Sequence, residues 1–147
     1  NTQPAGPCHS YPNEDTWSDA IARPGVVLIG DAAGSNDPII GQGLSITLRD
    51  VRLVRDALLG EQDWSADIFA AYAAERRVRM RRLRFSAAVV STLHNEFGPL
   101  AEARRKRAHE RQTQDPSLMY PLLATLVGPD RLPADTFEET TRTRLFA

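Results

Sequence analysis

The sequence predicts an α/β architecture of which this chain is a mostly α-helical segment, with one or two short strands. Two observations carry that prediction. Val26, Val27, Leu28 and Ile29 form an unbroken apolar run, three of the four β-branched, which reads as a short strand buried on both faces. Beyond it, apolar residues recur at helical spacing nearly to the end of the chain, and no second convincing strand follows.

Taken in order, residues 1–24 are rich in Pro, Gly, Asn and Asp and read as a loop, with a brief strand possible over Cys8–Tyr11. The Val26–Ile29 strand stops at Gly30-Asp31, and a loop carrying Gly34, Pro38, Gly41 and Gly43 follows. A helix is expected from near Leu44 to about Leu59, ended by a left-handed Gly60. Its stripe of Leu44, Leu48, Val51, Val54 and Leu58 should pack on the sheet of the complete protein. After a turn over Glu61–Ser65, with Asp63 or Ser65 as N-cap, a long helix runs from about Ala66 to His94. Phe69, Tyr72, Met80, Leu83, Ala87 and Val90 line one side of it, and Arg76 interrupts that side. Gly98-Pro99 opens a helix over about Leu100–Gln112, and Asp115-Pro116 a short one to about Val127. Gly128-Pro129-Asp130 is a turn, and Pro133 begins a last helix ending near Leu145. Two regions result: residues 1–64, holding strand, loop and first helix, and the all-helical residues 65–147.

Composition narrows the function classes. The chain of 147 residues can bury one ordinary core, and its apolar and charged fractions are those of a globular protein. No apolar run is long enough to span a bilayer and no signal-peptide pattern appears, so a cytoplasmic protein without a membrane partner is expected. Cys8 is the sole cysteine, which excludes an internal disulfide, and His9, His94 and His109 lack metal-ligand spacing. Residues 76–111 hold 11 of the 18 Lys and Arg against three acidic residues, Glu96, Glu102 and Glu110. Such a block suits nucleic acid, an anionic membrane or a phosphate-bearing cofactor. Yet Arg76, Arg77, Arg79, Arg81, Arg82 and Arg84 wind around most of the helix, and aromatic residues are sparse among them. A solvated, partly ion-paired surface with no nucleic-acid partner is the preferred reading.

The chemistry concentrates between Gly30 and Leu44. Ligands of open α/β sheets bind outside the carboxyl ends of strands, and Asp31 stands at such an end as an acceptor for hydroxyl groups. The glycines admit close backbone approach, and the first helical amides supply unpaired donors with partial positive charge. A polyol or an anionic cofactor fits that description.

Gly30-Asp31-Ala32-Ala33, Pro38, Gly41-Gln42-Gly43 and Asp50, in this order, resemble the second FAD motif of the flavin-dependent aromatic hydroxylases, the class A flavoprotein monooxygenases. The resemblance implies an FAD/NAD(P)-binding, Rossmann-like fold for the complete protein. It also implies a cofactor-binding set of Gly30, Asp31, Ala32, Pro38, Gly41, Gln42, Gly43 and Leu44. Asp31 would hold a ribityl hydroxyl and Pro38 would line the flavin ring. The backbone of Gly41–Leu44 would face the part of the ring that becomes negative on reduction, where a helix N-terminus is stabilising. Gly34, Ser45 and Val51 depart from the commonest residues of the pattern, which are histidine, asparagine and alanine. Gly34 also resembles flavin-dependent halogenases and geranylgeranyl reductases. An ordinary strand-turn-helix corner would account for the glycines alone, but not for so many matching residues at once.

The implied function is an oxidoreductase, with a monooxygenase leading: NAD(P)H reduces FAD, and one atom of O2 passes to a small organic substrate. No acid, base or nucleophile here has a convincing catalytic role, and no metal site is expected. Trp17 is read as a packing residue in preference to a pocket residue. Tyr72 and Arg76 resemble a Tyr-x-x-x-Arg signature downstream of the flavin motif, and Arg76 is expected to pair with Asp50. The chain begins at Asn1 and contains no G-x-G-x-x-G, so it reads as the C-terminal part of a longer enzyme that binds FAD poorly or not at all alone. The N-terminal remainder of that enzyme would be its partner, and the helical region could support a homodimer. Two alternatives stand beside this reading: a flavin-dependent halogenase or reductase, and a non-enzymatic helical binding module with a basic surface.

Overall fold

The computed structural model describes residues 2–3, 5–10, 14–62 and 64–147. Helix dominates them, with one short two-stranded sheet. Strand β1, Ala22–Arg23, pairs antiparallel with β2, Val26–Val27, in the register Ala22 to Val27 and Arg23 to Val26. The expected strand buried on both faces is therefore corrected. Only its first two residues are strand, Val26 is 56% exposed, and Val27, Leu28 and Ile29 are half-buried. The pattern of apolar residues asks for sheet neighbours on both sides, and among the described residues β1 is the one strand beside it. Cys8–Ser10 form no strand, and Tyr11 lies outside the described residues.

A 3-10 turn, Gly30–Ala33, follows the hairpin, and a second one, Pro38–Ile40, precedes helix α1, Gly43–Gly60. Gly60 is not a left-handed cap. It stays within the helix, and the chain leaves through an extended Glu61 at φ −130°. The buried face of α1 also differs from expectation. Ile46, Asp50 and Val54 are buried at i, i+4 and i+8, whereas Leu44 and Leu48 are 73% and 60% exposed and Val51 is exposed beside them. The helix carries two apolar faces, and the one turned inward is the one that includes Asp50.

Ser65 precedes a 3-10 turn, Ala66–Phe69, without a side-chain capping bond, and the other candidate cap, Asp63, lies outside the described residues. The turn leads into α2, Ala70–His94, the longest element. Along with Phe69, its Tyr72, Arg76, Met80, Leu83 and Ala87 are buried, whereas Val90, expected on the same side, is only half-buried, and Arg79, Ser86, Val89 and Leu93 add a second buried row. Helix α3, Pro99–Gln114, starts on proline after Gly98 at φ +94°. Asp115 then caps a 3-10 turn, accepting from the Ser117 amide at 3.1 Å, and α4, Tyr120–Val127, follows. The last expected helix divides: Ala134–Phe137 is a 3-10 turn, Glu138 is extended, and α5 covers Glu139–Phe146.

Three apolar clusters are strung along the 3-10 turn and α2. Phe69 and Tyr72 join Ile21, Ala33 and Val54; Met80 and Leu83 join Ile46; Val89 and Leu93 join Ala108, Leu118 and Leu145. Each fully buried aliphatic or aromatic side chain contributes roughly 1.5–3 kcal/mol. The long helix thus fixes the hairpin end and the α3–α5 end of the molecule to one axis.

Candidate functional site

The Gly30–Ala33 turn opens on a glycine in the left-handed region. Gly30 adopts φ +53°, and a Cβ there would stand 2.6 Å from the Thr47 hydroxyl of α1. Its amide donates to Asp50 Oδ2 at 2.9 Å, so the turn is bonded to the buried face of α1. Asp50 is fully buried and accepts two more charged donors, Arg76 Nε to Oδ2 at 2.9 Å and an Arg79 Nη to Oδ1 at 2.6 Å. The expected Asp50–Arg76 pair is present, and Arg79 is a second partner that sequence reasoning missed. Burial alone would push the Asp50 carboxyl up, but the bonds from Arg76, Arg79 and Gly30 hold it below the usual carboxylate range.

Arg76 does more than neutralise Asp50. Its remaining nitrogens donate to the carbonyls of Gly30 at 2.8 Å, Ala33 at 3.2 Å and Gly34 at 3.3 Å. One guanidinium therefore grips both the α1 carboxylate and the backbone of the turn that carries Asp31. One helical turn earlier, the Tyr72 hydroxyl donates to the Leu28 carbonyl at 2.8 Å, fixing the chain just before that turn. Burial, then the nearby Asp50 charge, push the Tyr72 hydroxyl up to about 12, so it remains a donor. The Tyr-x-x-x-Arg spacing thus has a mechanical reading: residues four apart on α2 hold two successive points of one loop. The network extends outward, with Arg79 bonded to Glu75 at 3.0 Å and Arg49 bridging Glu75 at 2.6 Å and Asp130 at 2.7 Å.

In front of the clamped turn lies a cavity of about 130 Å³ against the start of α1. Asp31, Pro38, Gly41, Gln42 and Gly43 line it, so five of the eight residues marked by the sequence converge there. The other three do not line it: Gly30 is buried in the turn, Ala32 is exposed, and Leu44 points largely to solvent. The exposed Asp31 has no hydrogen-bond or ion-pair partner for its carboxylate among the described residues. Gln42 is anchored away from the turn, donating to the Thr125 carbonyl at 2.7 Å. No side chain caps the N-terminus of α1, which leaves its first amides open. Asn36, which the sequence did not mark, also lines the cavity, and both polar atoms of its amide are buried without a partner. Its only signal in the sequence was an amide residue inside the glycine-rich loop. Gly34 reaches φ +133°, where a Cβ would come within 2.6 Å of the Thr16 carbonyl oxygen. Opposite it, Trp17 is 61% exposed beneath Arg84, which corrects its reading as a packing residue.

The geometry offers an acceptor at the turn, open amides at a helix start and an unsatisfied buried amide, all facing one space. The squalene epoxidase family model matches residues 5–120, which include the turn, the cavity and the Arg76 clamp. The chain belongs to the squalene epoxidase family. Within this family and its relatives, which are FAD-dependent monooxygenases, the chain is 32% identical over 109 residues to a ubiquinone hydroxylase, UbiL, from Rhodospirillum rubrum. That alignment covers 70% of this chain and 25% of the relative. It is 36% identical over 61 residues to the 3-demethoxyubiquinol 3-hydroxylase of Escherichia coli, covering 42% of this chain and 15% of that protein. Squalene epoxidase 3 of Arabidopsis thaliana is 36% identical over 53 residues, 36% of this chain and 10% of its own length. The chain spans about a quarter or less of the length of these relatives. No solved structure matches it with significance. Members of the family use FAD. The residues present fit that group, because the cavity combines open helix amides, a free carboxylate and clear space beside Gly41 and Gly43, where an added Cβ meets nothing within 4 Å. Among the described residues, no group of His, Cys, Asp and Glu could hold a metal ion, and no helix is long and apolar enough to cross a membrane.

Proposed function

We propose that this chain is the flavin-facing C-terminal part of an FAD-dependent monooxygenase that uses NAD(P)H and O2 to oxygenate a large apolar organic molecule. The observation that carries the proposal is the convergence of Asp31, Pro38, Gly41, Gln42 and Gly43 on one cavity at the uncapped start of α1. In the bound enzyme, FAD supplies the redox and oxygen chemistry. The chain's own residues would bind and orient: the Asp31 carboxylate would accept a hydrogen bond from a cofactor hydroxyl, and Pro38 would line its ring. The Asn36 amide would gain the partner it lacks, and the backbone of Gly41–Leu44 would stabilise negative charge. The substrate class is read from the names of the relatives, a ubiquinone hydroxylase, a demethoxyubiquinol hydroxylase and a squalene epoxidase.

The exposed apolar face of α1 supports the incomplete sheet as part of this reading. Leu44, Leu48 and Val51 lie at i, i+4 and i+7 and are exposed, as is Val26. We assign the rest of the FAD-binding domain as their cover. The reading predicts a strand followed by G-x-G-x-x-G in the coding sequence upstream of Asn1, and a yellow complete enzyme that oxidises NAD(P)H. Asp31→Ala in that enzyme should lower retained flavin several-fold, measured as flavin absorbance per protein after gel filtration. Unchanged flavin content would remove Asp31 from the site.

A further inference from the structure

A second cleft, of about 260 Å³, opens between the Trp17–Ile21 loop and α2. Arg77, Arg81 and Arg84 border it at i, i+4 and i+7, which brings three guanidinium groups to one side of the helix. Arg77 and Arg81 are exposed and form no ion pair among the described residues. Arg84 lies 4.8 Å above the Trp17 ring; an Nη donates to the Thr16 carbonyl at 3.4 Å, while its Nε is buried without a hydrogen-bond partner. The nearest carboxylate, Asp15, stands 3.9 Å from that nitrogen, and the exposed Asp19 also lines the cleft. Burial pushes the Arg84 guanidinium down from its ordinary range; Asp15 opposes this and Arg76 adds to it. The Arg76 guanidinium reaches the same cleft, but its charge is already matched by Asp50. Apart from Ser18, the remaining wall is apolar, with buried Ile21 and Met80.

Three like charges on one helix side repel one another by a few tenths of a kcal/mol per neighbouring pair in solution. Around a concave, low-dielectric wall their fields add, and an anion entering the cleft is drawn in and partly desolvated. Planar guanidinium forks match phosphate oxygens two at a time, whereas a small inorganic anion would leave the apolar wall unused. We propose that this cleft binds a phosphate ester, its phosphate held by Arg77, Arg81 and Arg84 and its organic part against Trp17, Ile21 and Met80. The same chemistry is offered by a soluble nucleotide and by a phospholipid headgroup. The site is separate from the cavity at α1 and does not depend on the flavin reading.

The test titrates the full chain with ADP by calorimetry, and separately with phosphatidylcholine vesicles with and without phosphatidic acid. Saturable binding is expected in one arm: to ADP if the ligand is soluble, or to the phosphatidic-acid vesicles alone if it is a headgroup. Arg77→Gln together with Arg81→Gln should weaken that binding about tenfold or more, while Arg107→Gln, an exposed arginine on α3, should leave it unchanged. Both cleft arginines are exposed, so the double variant should keep the wild-type circular dichroism spectrum. A ligand-induced rise in melting temperature, present in the wild type and absent from the double variant, checks the result without a titration. Absence of binding in both arms, or equal weakening by Arg107→Gln, would overturn the proposal.

Discussion

At the scale of single residues, Asp50 has the largest structural consequence. Its carboxylate is fully buried and compensated by two guanidinium groups and an amide. Replacing it by Asn removes the charge and leaves Arg76 and Arg79 buried opposite a neutral group, a change that costs roughly 3–5 kcal/mol. Because its folded pKa is depressed, the stability it contributes is present above the unfolded value of about 3.9 and is lost as pH falls through the folded value. Urea midpoints should therefore be lower for Asp50→Asn at pH 7, and should decline less steeply than wild type below about pH 4. Gly34 makes the opposite kind of test. Histidine is common at its position in the flavin motif, yet here φ is +133° and a Cβ would meet the Thr16 carbonyl and Trp17 Cα at 2.6 and 2.7 Å. Gly34→His should cost about 1–3 kcal/mol through backbone strain alone, read as a fall in melting temperature. A neutral result would show that the loop relaxes out of this backbone conformation and that the Thr16–Trp17 segment moves aside with it.

At the scale of elements, α2 acts as a ruler laid along the loop before α1. Tyr72 holds Leu28 and Arg76 holds Gly30, Ala33 and Gly34, so the loop's path is set by side chains one helical turn apart. Tyr72→Phe should cost about 1 kcal/mol, since the Leu28 carbonyl loses its donor, and thermal unfolding would report it. The Asp50–Arg76 pair was legible in the sequence because an arginine on an apolar helix side demands a carboxylate, and the helix before it supplied one. Arg79 was not legible: it sits at i+3 from Arg76, and helical periodicity alone does not say that Asp50 can serve two donors through its two oxygens. The glycine-rich loop was legible by residue type and order. Asn36 was not, since only the folded loop shows its amide buried and unpaired. On α1 the periodicity was real but ambiguous, because Leu44, Leu48 and Val51 make one apolar face and Ile46 and Val54 another. Only the position of α2 decides which is turned inward. The strand was overestimated for a related reason: a run such as Val26–Ile29 reports the sheet it is built for, and β1 supplies just two paired residues of it.

At the scale of the whole molecule, the apolar surface is uneven. Leu44, Leu48 and Val51 form one exposed stripe on α1, whereas the exposed apolar side chains at the other end, among them Phe97, Leu100 and Leu126, are scattered over several elements beside a covered cluster of Val89, Leu118 and Leu145. The assignment of the α1 face to the rest of the FAD-binding domain makes a differential prediction. Leu48→Arg should leave the unfolding free energy of this chain within about 0.5 kcal/mol of wild type, as an exposed substitution does. In the complete enzyme the same change would bury an unpaired charge and should abolish soluble expression. Equal behaviour in both contexts would mean that nothing covers this face. The clamp on the Gly30–Ala33 turn bears on kinetics as well. With its carbonyls already captured by Arg76 and its first amide by Asp50, the turn has no conformational search left to make when a cofactor arrives. Association there should follow a single exponential whose rate rises linearly with ligand concentration, the behaviour of a lock cut before its key.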